Sequence, residues 1–330
     1  MSKSPFVFVS SPGMHELAAS VHSQVSKMES SIDIPHLELK VKVFSNGEHC
    51  TQIPETVRGQ HVFFFHPLQF PTPNDAFMDM MIACDAMTRA SVASITLVIP
   101  YMAYLRQDRK DKPRVPVTAS MLADMTQTNG KIAHIITMDM HADQEQGFYK
   151  IPVDNLSSKK LFAEQILNMF GKELDTVAVA APDFGSAKRA RKFAEEIGIP
   201  NQVVICEKSR PADNQAEVLS VIGASVKDRI VVMYDDMIDT GGTIAKAAAA
   251  LSTAPHHAKR VVVVATHGIF SSPAGITSLC SSGATVLVTD SIPRAHGELP
   301  EAIKIVSISK LLADAVYQHM LVGGSVSALS

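Results

Sequence analysis

Residues 235–243 combine acidic, hydroxyl and glycine residues in a pattern that suits a phosphorylated sugar. They follow an apolar predicted strand at 230–234 and precede a predicted helix at 243–251. Ligands of parallel sheets collect at the carboxyl ends of strands, where glycines allow close backbone approach and a helix start offers free N–H groups to phosphate. Carboxylates suit sugar hydroxyls or hard cations. The candidate binding residues are Asp235, Asp236, Asp239, Thr240, Gly241, Gly242 and Thr243.

The alternative interpretation of this segment is an ordinary strand–turn–helix connection. One Asp at a helix cap and one Gly in a turn would suit it, whereas three Asp, two Thr and two Gly in nine residues favour a ligand site. The two commoner nucleotide-binding patterns, Gly-x-x-x-x-Gly-Lys-Ser/Thr and Gly-x-Gly-x-x-Gly, are absent from the sequence. Any ATP site therefore differs from a P-loop or a Rossmann crevice.

Four further segments carry candidate functional groups. Residues 182–189 place Asp183 and a glycine between a strand and a helix, which predicts a second phosphate cradle. Residues 106–114 hold five basic and two acidic side chains, and Arg106 could clamp a polyphosphate, although such a run is ordinarily a solvated loop. His141 ends a predicted strand and is either a metal ligand or a packed imidazole. Lys208 and Arg210 are either mobile cations that stabilise phosphoryl transfer or solvated side chains.

The elements that must position these residues alternate between β-branched runs and helical patterns, which is typical of an α/β protein. Most runs are apolar throughout, as strands of a parallel sheet covered on both faces are. Strands are predicted at 6–9, 62–65, 95–99, 132–138, 177–181, 203–206, 230–234, 261–266, 286–289 and 303–308, with a strand-like segment at 37–43. Helices are predicted at 76–90, 186–197 and 243–251.

The order of these elements repeats along the chain. Predicted strands that begin at 6, 62 and 95 have counterparts at 177, 230 and 261, which lie 171, 168 and 166 residues later. Semi-regular strand spacing in any α/β protein is the alternative explanation. We predict two similar domains, residues 1–155 and 156–330, joined near residues 152–158.

Composition limits the class of protein. Hydrophobic residues make up 46% and charged residues 19%, as in a globular protein, and the formal charge of −3 argues against general nucleic-acid binding. Apolar runs such as 261–265 are too short to cross a bilayer, and no signal peptide is expected. Cys50, Cys84, Cys206 and Cys280 lie far apart, without a Cys-x-x-Cys pair. This pattern indicates reduced thiols in a cytoplasmic protein.

Residues 235–243 resemble the phosphoribosyl diphosphate (PRPP) binding signature of type I phosphoribosyltransferases and PRPP synthetases. Segments 44–48 and 106–108 (Phe-Ser-Asn-Gly-Glu and Arg-Gln-Asp) distinguish the two families, and segment 266–270 (Thr-His-Gly-Ile-Phe) adds to the resemblance. In this order they are similar to PRPP synthetases, and the resemblance runs from residue 6 to about residue 293. Phosphoribosyltransferases share the 235–243 signature but have a single domain.

The resemblance implies two tandem phosphoribosyltransferase-like (type I) domains, each a mostly parallel sheet flanked by helices. The implied reaction transfers the β,γ-diphosphoryl group of ATP to the 1-hydroxyl of ribose 5-phosphate, giving PRPP and AMP, with Mg²⁺ as cofactor. The implied ATP-binding residues are Phe44, Asn46, Glu48, Arg106, Gln107 and Asp108. The family also forms homo-oligomers built from dimers, up to hexamers, in which the 44–48 loop can serve a neighbouring subunit. No nucleic acid or membrane partner is implied.

The same resemblance assigns the remaining candidates. His141 and Asp183 would hold Mg²⁺ with the ATP phosphates. Asp235 and Asp236 would face the ribose hydroxyls and a second cation, while residues 239–243 would wrap the 5-phosphate. Lys208 and Arg210, the implied catalytic residues, would close over the transferring group.

Three departures from the family pattern affect these expectations. Ser186 replaces the second glycine of Pro-Asp-x-Gly-Gly, which would strain the turn if that position needs a positive φ. Residues 66–73 replace a Ser/Gly-rich segment near a family effector and subunit-contact region. Leu105 replaces a small residue. Regulation and the acceptor sugar are therefore open.

Three rival functions compete with this assignment, and the substituted cradle at residue 186 permits the first. The same diphosphoryl transfer could use a larger acceptor such as ADP-ribose. A non-catalytic regulatory subunit that binds a true synthetase is disfavoured, since every charged catalytic residue is present. A phosphoribosyltransferase is disfavoured by the duplicated architecture.

Overall fold

The computed structural model describes residues 4–69, 71–209, 218–294, 297–321 and 324–329, and of residues 207–209, 218, 219 and 328 only the backbone. Its strands are β1 (Phe6–Ser10), β2 (His36–Glu38), β3 (Lys40–Val43), β4 (His49–Gln52), β5 (His61–Phe65), β6 (Ser94–Val98), β7 (Ile132–Met138), β8 (Val153–Leu156), β9 (Val177–Ala181), β10 (Val203–Ser209), β11 (Val218–Gly223), β12 (Ile230–Ile238), β13 (Arg260–Gly268), β14 (Thr285–Thr289) and β15 (Ile303–Val306). Its α-helices are α1 (His15–Met28), α2 (Pro73–Arg89), α3 (Thr118–Thr126), α4 (Lys159–Phe170), α5 (Ala187–Glu196), α6 (Gly242–Ser252), α7 (Pro273–Ser281) and α8 (Ser309–Met320). Short 3-10 helices cover Pro12–Met14, Asp143–Phe148, Gly171–Thr176 and Ser327–Leu329.

The chain divides into two compact units. Unit 1 comprises Met1–Ser157, Ser291–Arg294 and Ser307–Ser330, and unit 2 comprises Ser158–Asp290 and Ala295–Val306. In the part of the chain that the structure describes, no helix is long and apolar enough to span a membrane. All four cysteines are free thiols.

Unit 1 contains a six-stranded parallel sheet in the order β2-β1-β5-β6-β7-β8. Its strands are short apolar runs, and β5 and β7 are buried along most of their length. Leu97 and Ile135 of the sheet pack with Phe77 of α2 and Leu122 of α3 in one core. A separate antiparallel hairpin, β3–β4, projects from this unit and contacts α2.

Unit 2 contains a seven-stranded sheet in the order β11-β10-β9-β12-β13-β14-β15. Only the β10–β11 pairing of this sheet is antiparallel. Alternate residues of β12 enter two cores: Val231 and Met233 pack with α6 and α7, whereas Val232 and Tyr234 pack with α4 and α5. Each such buried side chain stabilises the fold by roughly 1.5–3 kcal/mol, so β12 is held firmly where its polar end begins.

The fold-class prediction is confirmed. The order β10-β9-β12-β13-β14-β15 in unit 2 repeats the order β2-β1-β5-β6-β7-β8 in unit 1, with β11 added at the edge. Each predicted strand corresponds to an observed one within a few residues, and β4, β8 and β11 were not predicted. This repetition of strand order supports a duplicated origin.

The division into units differs from the predicted domains at the C-terminal end. Residues 307–330, which the prediction placed in the second domain, belong to unit 1. There α8 buries Leu312, Ala313, Ala315 and Val316 and packs against α1. Sequence periodicity shows that α8 has an apolar face but does not show which helix covers it.

Candidate functional site

The candidate phosphoribosyl segment is shorter as a loop than the sequence predicts. Strand β12 continues to Ile238, with Met237 opposite His267 of β13, and α6 begins at Gly242. Asp235 and Asp236 therefore lie in the strand, and the loop is residues 239–241 alone. The predicted loop start at residue 235 was wrong because pairing with β13 overrides the low strand propensity of Asp.

The loop after β12 is held by close contact with the start of α7. Gly241 adopts φ +78°, a left-handed conformation that glycine tolerates, and caps α6. A Cβ on Gly275 would lie 1.5 Å from the carbonyl oxygen of Thr240. Asp239 accepts a hydrogen bond from the Ser271 hydroxyl at 2.5 Å. The backbone N–H groups at the start of α6 are thus fixed in place, as a phosphate site requires.

Asp235 and Asp236 form a carboxylate pair beside this loop. The Arg189 Nη1 atom of α5 lies 2.8 Å from Asp235 Oδ1 and 3.1 Å from Asp236 Oδ1. Burial and, next, the neighbouring Asp236 carboxylate raise the pKa of Asp235 to about 7, although Arg189 partly opposes the shift. The Asp235 and Asp236 carboxylates repel each other. A bound cation, or sugar hydroxyls that donate hydrogen bonds to both carboxylates, would reduce this repulsion.

This raised pKa predicts a distinctive pH dependence of stability. Because the folded pKa of about 7 lies above the ordinary value of 3.8, the folded state holds the Asp235 proton more tightly. The free energy of unfolding should then fall as pH rises from about 4 to about 7. Asp235→Asn removes this titration. The difference in unfolding midpoint, wild type minus variant, should therefore decrease as pH rises from about 4 to about 7. Thermal unfolding without divalent ions measures it, and a difference that does not vary with pH would contradict the raised pKa.

The turn at residues 182–186 joins β9 to α5 next to β12 in the sheet. Ser186 has φ −89°, so this position does not need a positive φ, and the serine does not strain the turn. Its backbone N–H and its hydroxyl both donate to Asp183 Oδ1, at 2.9 and 3.0 Å. Ser186 is buried and Asp183 is exposed. The serine therefore orients the candidate metal-binding carboxylate instead of distorting the turn.

Of the predicted catalytic pair, Lys208 belongs to the sheet of unit 2, in the strand next to the edge. Lys208 lies within β10, opposite Leu219 of β11, so the strand extends beyond its predicted end at residue 206. Arg210 lies outside the described residues. The strand prediction stopped at residue 206 because Glu207 and Lys208 interrupt the apolar run, whereas backbone pairing with β11 extends β10 to Ser209.

In unit 1, the candidate ATP residues of segment 44–48 occupy the tip of the β3–β4 hairpin. The Phe44 N–H donates to the Glu48 carbonyl, and the Glu48 N–H donates to Asn46 Oδ1. All three side chains are exposed, and Lys42 Nζ lies 4.7 Å from the centre of the Phe44 ring. An exposed aromatic ring flanked by polar groups can contact a nucleotide base.

Arg106 ends a turn after β6, with Gln107 and Asp108 directly behind it, and His141 follows β7, the neighbour of β6 in the sheet. Gln107 is fixed by the Thr118 hydroxyl, which donates to its Oε1 at 2.6 Å, while Arg106 is exposed. Leu105 is buried in the core of unit 1. Leu105, which is larger than the usual family residue, therefore packs in the core, and the Arg106 side chain stays exposed to solvent.

His141 is exposed, which favours the metal-ligand interpretation over a packed imidazole. The backbone before it is anchored to β8 and its end: the Met140 N–H donates to Asn155 Oδ1 at 3.0 Å, and the Ser157 hydroxyl donates to Asp139 Oδ1 at 3.2 Å. These bonds hold the His141 backbone at the carboxyl end of the sheet.

Segment 66–73, another departure from the family pattern, begins with a buried histidine. His66 Nδ1 lies 2.7 Å from the Ser11 hydroxyl, and its Nε2 lies 2.8 Å from the Ala76 carbonyl oxygen. Burial lowers the pKa of His66 to about 4, so the ring is neutral at physiological pH. Nε2 then carries the proton and donates to Ala76, and this histidine has a structural part in joining β5 to α2.

Sequence reasoning missed three residues that shape the site in unit 2: Arg189, Ser271 and Gly275. Arg189 lay within a segment already assigned to phosphate binding. Its ion pair with Asp235 and Asp236 forms because β9 and β12 are neighbours in the sheet, which the sequence does not show. A glycine in the first turn of α7 was the available signal for close backbone approach.

Comparison with known proteins identifies the family. Residues 7–130 match the family model described as the N-terminal domain of ribose phosphate pyrophosphokinase. Residues 210–329 match a model described as the phosphoribosyl synthetase-associated domain. The crystal structure of phosphoribosylpyrophosphate synthetase from Mycobacterium smegmatis superposes with a TM-score of 0.83 and 32% identity, covering 96% of this chain and 98% of that one.

Two curated relatives extend the match over most of the sequence. The ribose-phosphate pyrophosphokinase of Thermotoga maritima is 41% identical over 290 residues, which is 88% of this chain and 89% of the relative. That of Helicobacter pylori strain 26695 is 40% identical over 305 residues, 92% of each chain. The chain therefore belongs to the ribose-phosphate pyrophosphokinase family.

Proposed function

We propose that this protein is a Mg²⁺-dependent ribose-phosphate diphosphokinase that converts ATP and ribose 5-phosphate into PRPP and AMP. The main structural support is the carboxylate pair Asp235–Asp236, followed at once by the left-handed glycine turn and the start of α6. This sequence of groups offers acceptors for ribose hydroxyls and N–H donors for the 5-phosphate. Thr240, Gly242 and Thr243 complete the proposed ribose 5-phosphate site with Asp239 and Gly241.

The proposed ATP site uses Phe44, Asn46, Glu48, Arg106, Gln107 and Asp108. The exposed Arg106 guanidinium suits a polyphosphate, which it can bind through two parallel hydrogen bonds. The Phe44 ring suits the face of a base. Lys208 and Arg210 would stabilise the charge that develops during transfer.

The proposed reaction forms one bond and breaks one. The 1-hydroxyl oxygen of ribose bonds to the β-phosphorus of ATP, and the bond from that phosphorus to the α–β bridging oxygen breaks. That oxygen and its electron pair remain with AMP, and the hydroxyl proton passes to solvent. Asp235 and Asp236 accept hydrogen bonds from ribose hydroxyls and orient the attacking group, which lowers the entropic part of the barrier.

Mg²⁺ fits the donor groups proposed for it. Mg²⁺ binds through one or two carboxylates together with substrate phosphates, and the exposed Asp183 carboxylate is oriented by Ser186. His141 is the Mg²⁺ ligand proposed in unit 1. When bound, Mg²⁺ would neutralise charge on the ATP phosphates.

We further propose a cytoplasmic homo-oligomer built from dimers, up to a hexamer. The exposed 44–48 hairpin tip would be available to a neighbouring subunit. Sedimentation of the purified protein measures the assembly, and a monomer at working concentration would contradict it.

One observation favours a second candidate acceptor, ADP-ribose. Phe184, beside Asp183 in the turn after β9, is 56% exposed. An exposed aromatic ring can stack on a nucleobase that ribose 5-phosphate lacks, and such stacking contributes about 1–3 kcal/mol.

AMP release with Mg²⁺ and ATP, measured with each acceptor separately, tests the proposal. We expect turnover with ribose 5-phosphate that Phe184→Ala leaves nearly unchanged. If ADP-ribose is the acceptor, Phe184→Ala should lower its kcat/KM about tenfold or more, and Phe184→Tyr, which keeps the ring, should not. Turnover with ADP-ribose alone overturns the assigned acceptor. No AMP with any pentose phosphate, together with co-purification with an active homologue, would instead indicate a regulatory subunit.

A further inference from the structure

Two histidines and an aspartate meet in unit 1 away from the residues assigned to ATP. They are His134 of β7, Asp154 of β8 and His319 near the end of α8. Asp154 Oδ2 lies 2.9 Å from His134 Nε2 and 2.6 Å from His319 Nε2. The two imidazole rings are 4.1 Å apart between centroids, in an edge-to-face arrangement.

The three groups are placed as metal ligands are. One ligand atom from each lies within 4.8 Å of the others, and among the described residues no second group of three His, Cys, Asp or Glu does so. The side chains are 17–20% exposed, so an ion could reach them from solvent and yet be partly shielded. Burial alone would raise the pKa of Asp154, but hydrogen bonds from His134 and His319 and their charge hold it below its usual value. Asp154 is therefore anionic.

We propose that His134, Asp154 and His319 bind one Zn²⁺ ion. Zn²⁺ takes imidazole nitrogen at about 2.0–2.1 Å and carboxylate oxygen at about 2.0–2.2 Å, so the ligand atoms of a tetrahedral site lie about 3.4 Å apart. The Oδ2–Nε2 separations of 2.9 and 2.6 Å would have to open by about 0.5 and about 0.8 Å, respectively. Two nitrogen ligands favour Zn²⁺ over Mg²⁺, and water would complete the coordination.

The ion would join parts of unit 1 that are distant in sequence. Asp154 and His319 are 165 residues apart, and α8 is the element that returns to unit 1 after the chain has formed unit 2. Because Zn²⁺ would bind the folded state and not the unfolded state, it would raise the unfolding midpoint by mass action. The site is thus a stabilising link between α8 and the β7–β8 edge of the sheet.

Metal titration of the untagged, chelator-treated protein tests the proposal. Excess Mg²⁺ is kept present because it occupies sites built from carboxylates and phosphates but competes poorly for a site with two imidazoles. Co²⁺, followed by its electronic absorption, and then Zn²⁺ are titrated into the wild type, His319→Ala and the control His61→Ala. His61 is an exposed histidine of the same unit, bonded to the Ser94 hydroxyl at 2.7 Å. We expect one Zn²⁺ equivalent in the wild type and the control, and at least about 100-fold weaker binding in His319→Ala.

A second variant separates metal binding from loss of folding. Asp154→Asn keeps an acceptor oxygen at the same place but removes the charge, so its metal-free unfolding midpoint reports folding directly. Zn²⁺ should raise the midpoint of the wild type and of His61→Ala, and should leave Asp154→Asn and His319→Ala unchanged. If the wild type binds no Zn²⁺ in excess Mg²⁺, or binds it as tightly as both variants do, the proposal is overturned and the three side chains form a hydrogen-bonded cluster only.

Discussion

Gly275→Ala should lower turnover with ribose 5-phosphate by about 100-fold, because a displacement of about 1 Å at a reacting site can cost that much. The new Cβ would lie 1.5 Å from the Thr240 carbonyl oxygen and 2.7 Å from its carbon. These are backbone atoms, so either the loop after β12 or the start of α7 must shift. The shift would misplace the proposed phosphate-binding N–H groups at the start of α6 and raise the KM for ribose 5-phosphate.

Steady-state kinetics with varied ribose 5-phosphate measure this effect, and Gly171→Ala is the matched control. Gly171 lies in the same unit with φ −55°, and a Cβ there would meet no heavy atom within 4 Å. We expect the control to retain the wild-type KM. An unchanged KM in Gly275→Ala would show that the loop contact with α7 does not shape the sugar phosphate site.

Lys208→Ala should lower kcat by about 10³-fold while leaving ATP affinity nearly unchanged. Cations that act on charge developing in phosphoryl transfer contribute about 10³–10⁵ in kcat, and oxyanion donors about 10²–10³. Lys208 lies near the end of β10, in a strand paired with β11, so its backbone is positioned by the sheet. The proposal gives this side chain a part in the transition state and not in ground-state binding.

The prediction for Lys208 requires two separate measurements. Equilibrium ATP binding is measured by calorimetry, and turnover by AMP release. Lys227→Ala, at an exposed turn of the same unit, is the control for loss of one positive charge. Undiminished turnover in Lys208→Ala would remove Lys208 from the catalytic set.

The sequence predicted the parallel sheets well because their strands are apolar on both faces. The bounds of β7 and β9 agree with the predicted 132–138 and 177–181. Errors occurred where polar residues continue a strand through backbone pairing, as Asp235 and Asp236 do in β12. Hydrophobic periodicity detects burial, whereas the end of a strand is set by its neighbour's hydrogen bonds.

The contacts that shape the candidate site were less accessible to sequence reasoning. Arg189 reaches Asp235 and Asp236 across adjacent strand ends, and Gly275 touches Thr240 from a helix more than thirty residues away. The residue types in segment 235–243 predicted which groups could bind a sugar phosphate. They did not predict the contacts that hold those groups in position. The same limit applies to α8, whose partner α1 lies at the other end of the chain.

Isotopic tracing of the transferred group tests the central claim most directly. The purified protein, Mg²⁺ and ribose 5-phosphate are incubated with ATP labelled separately at its α-, β- or γ-phosphorus. We predict that the β and γ labels move together into a pentose product and that the α label remains in AMP. The β label retained in ADP, or label released as inorganic phosphate without any requirement for the sugar, would contradict a diphosphoryl transfer to ribose 5-phosphate.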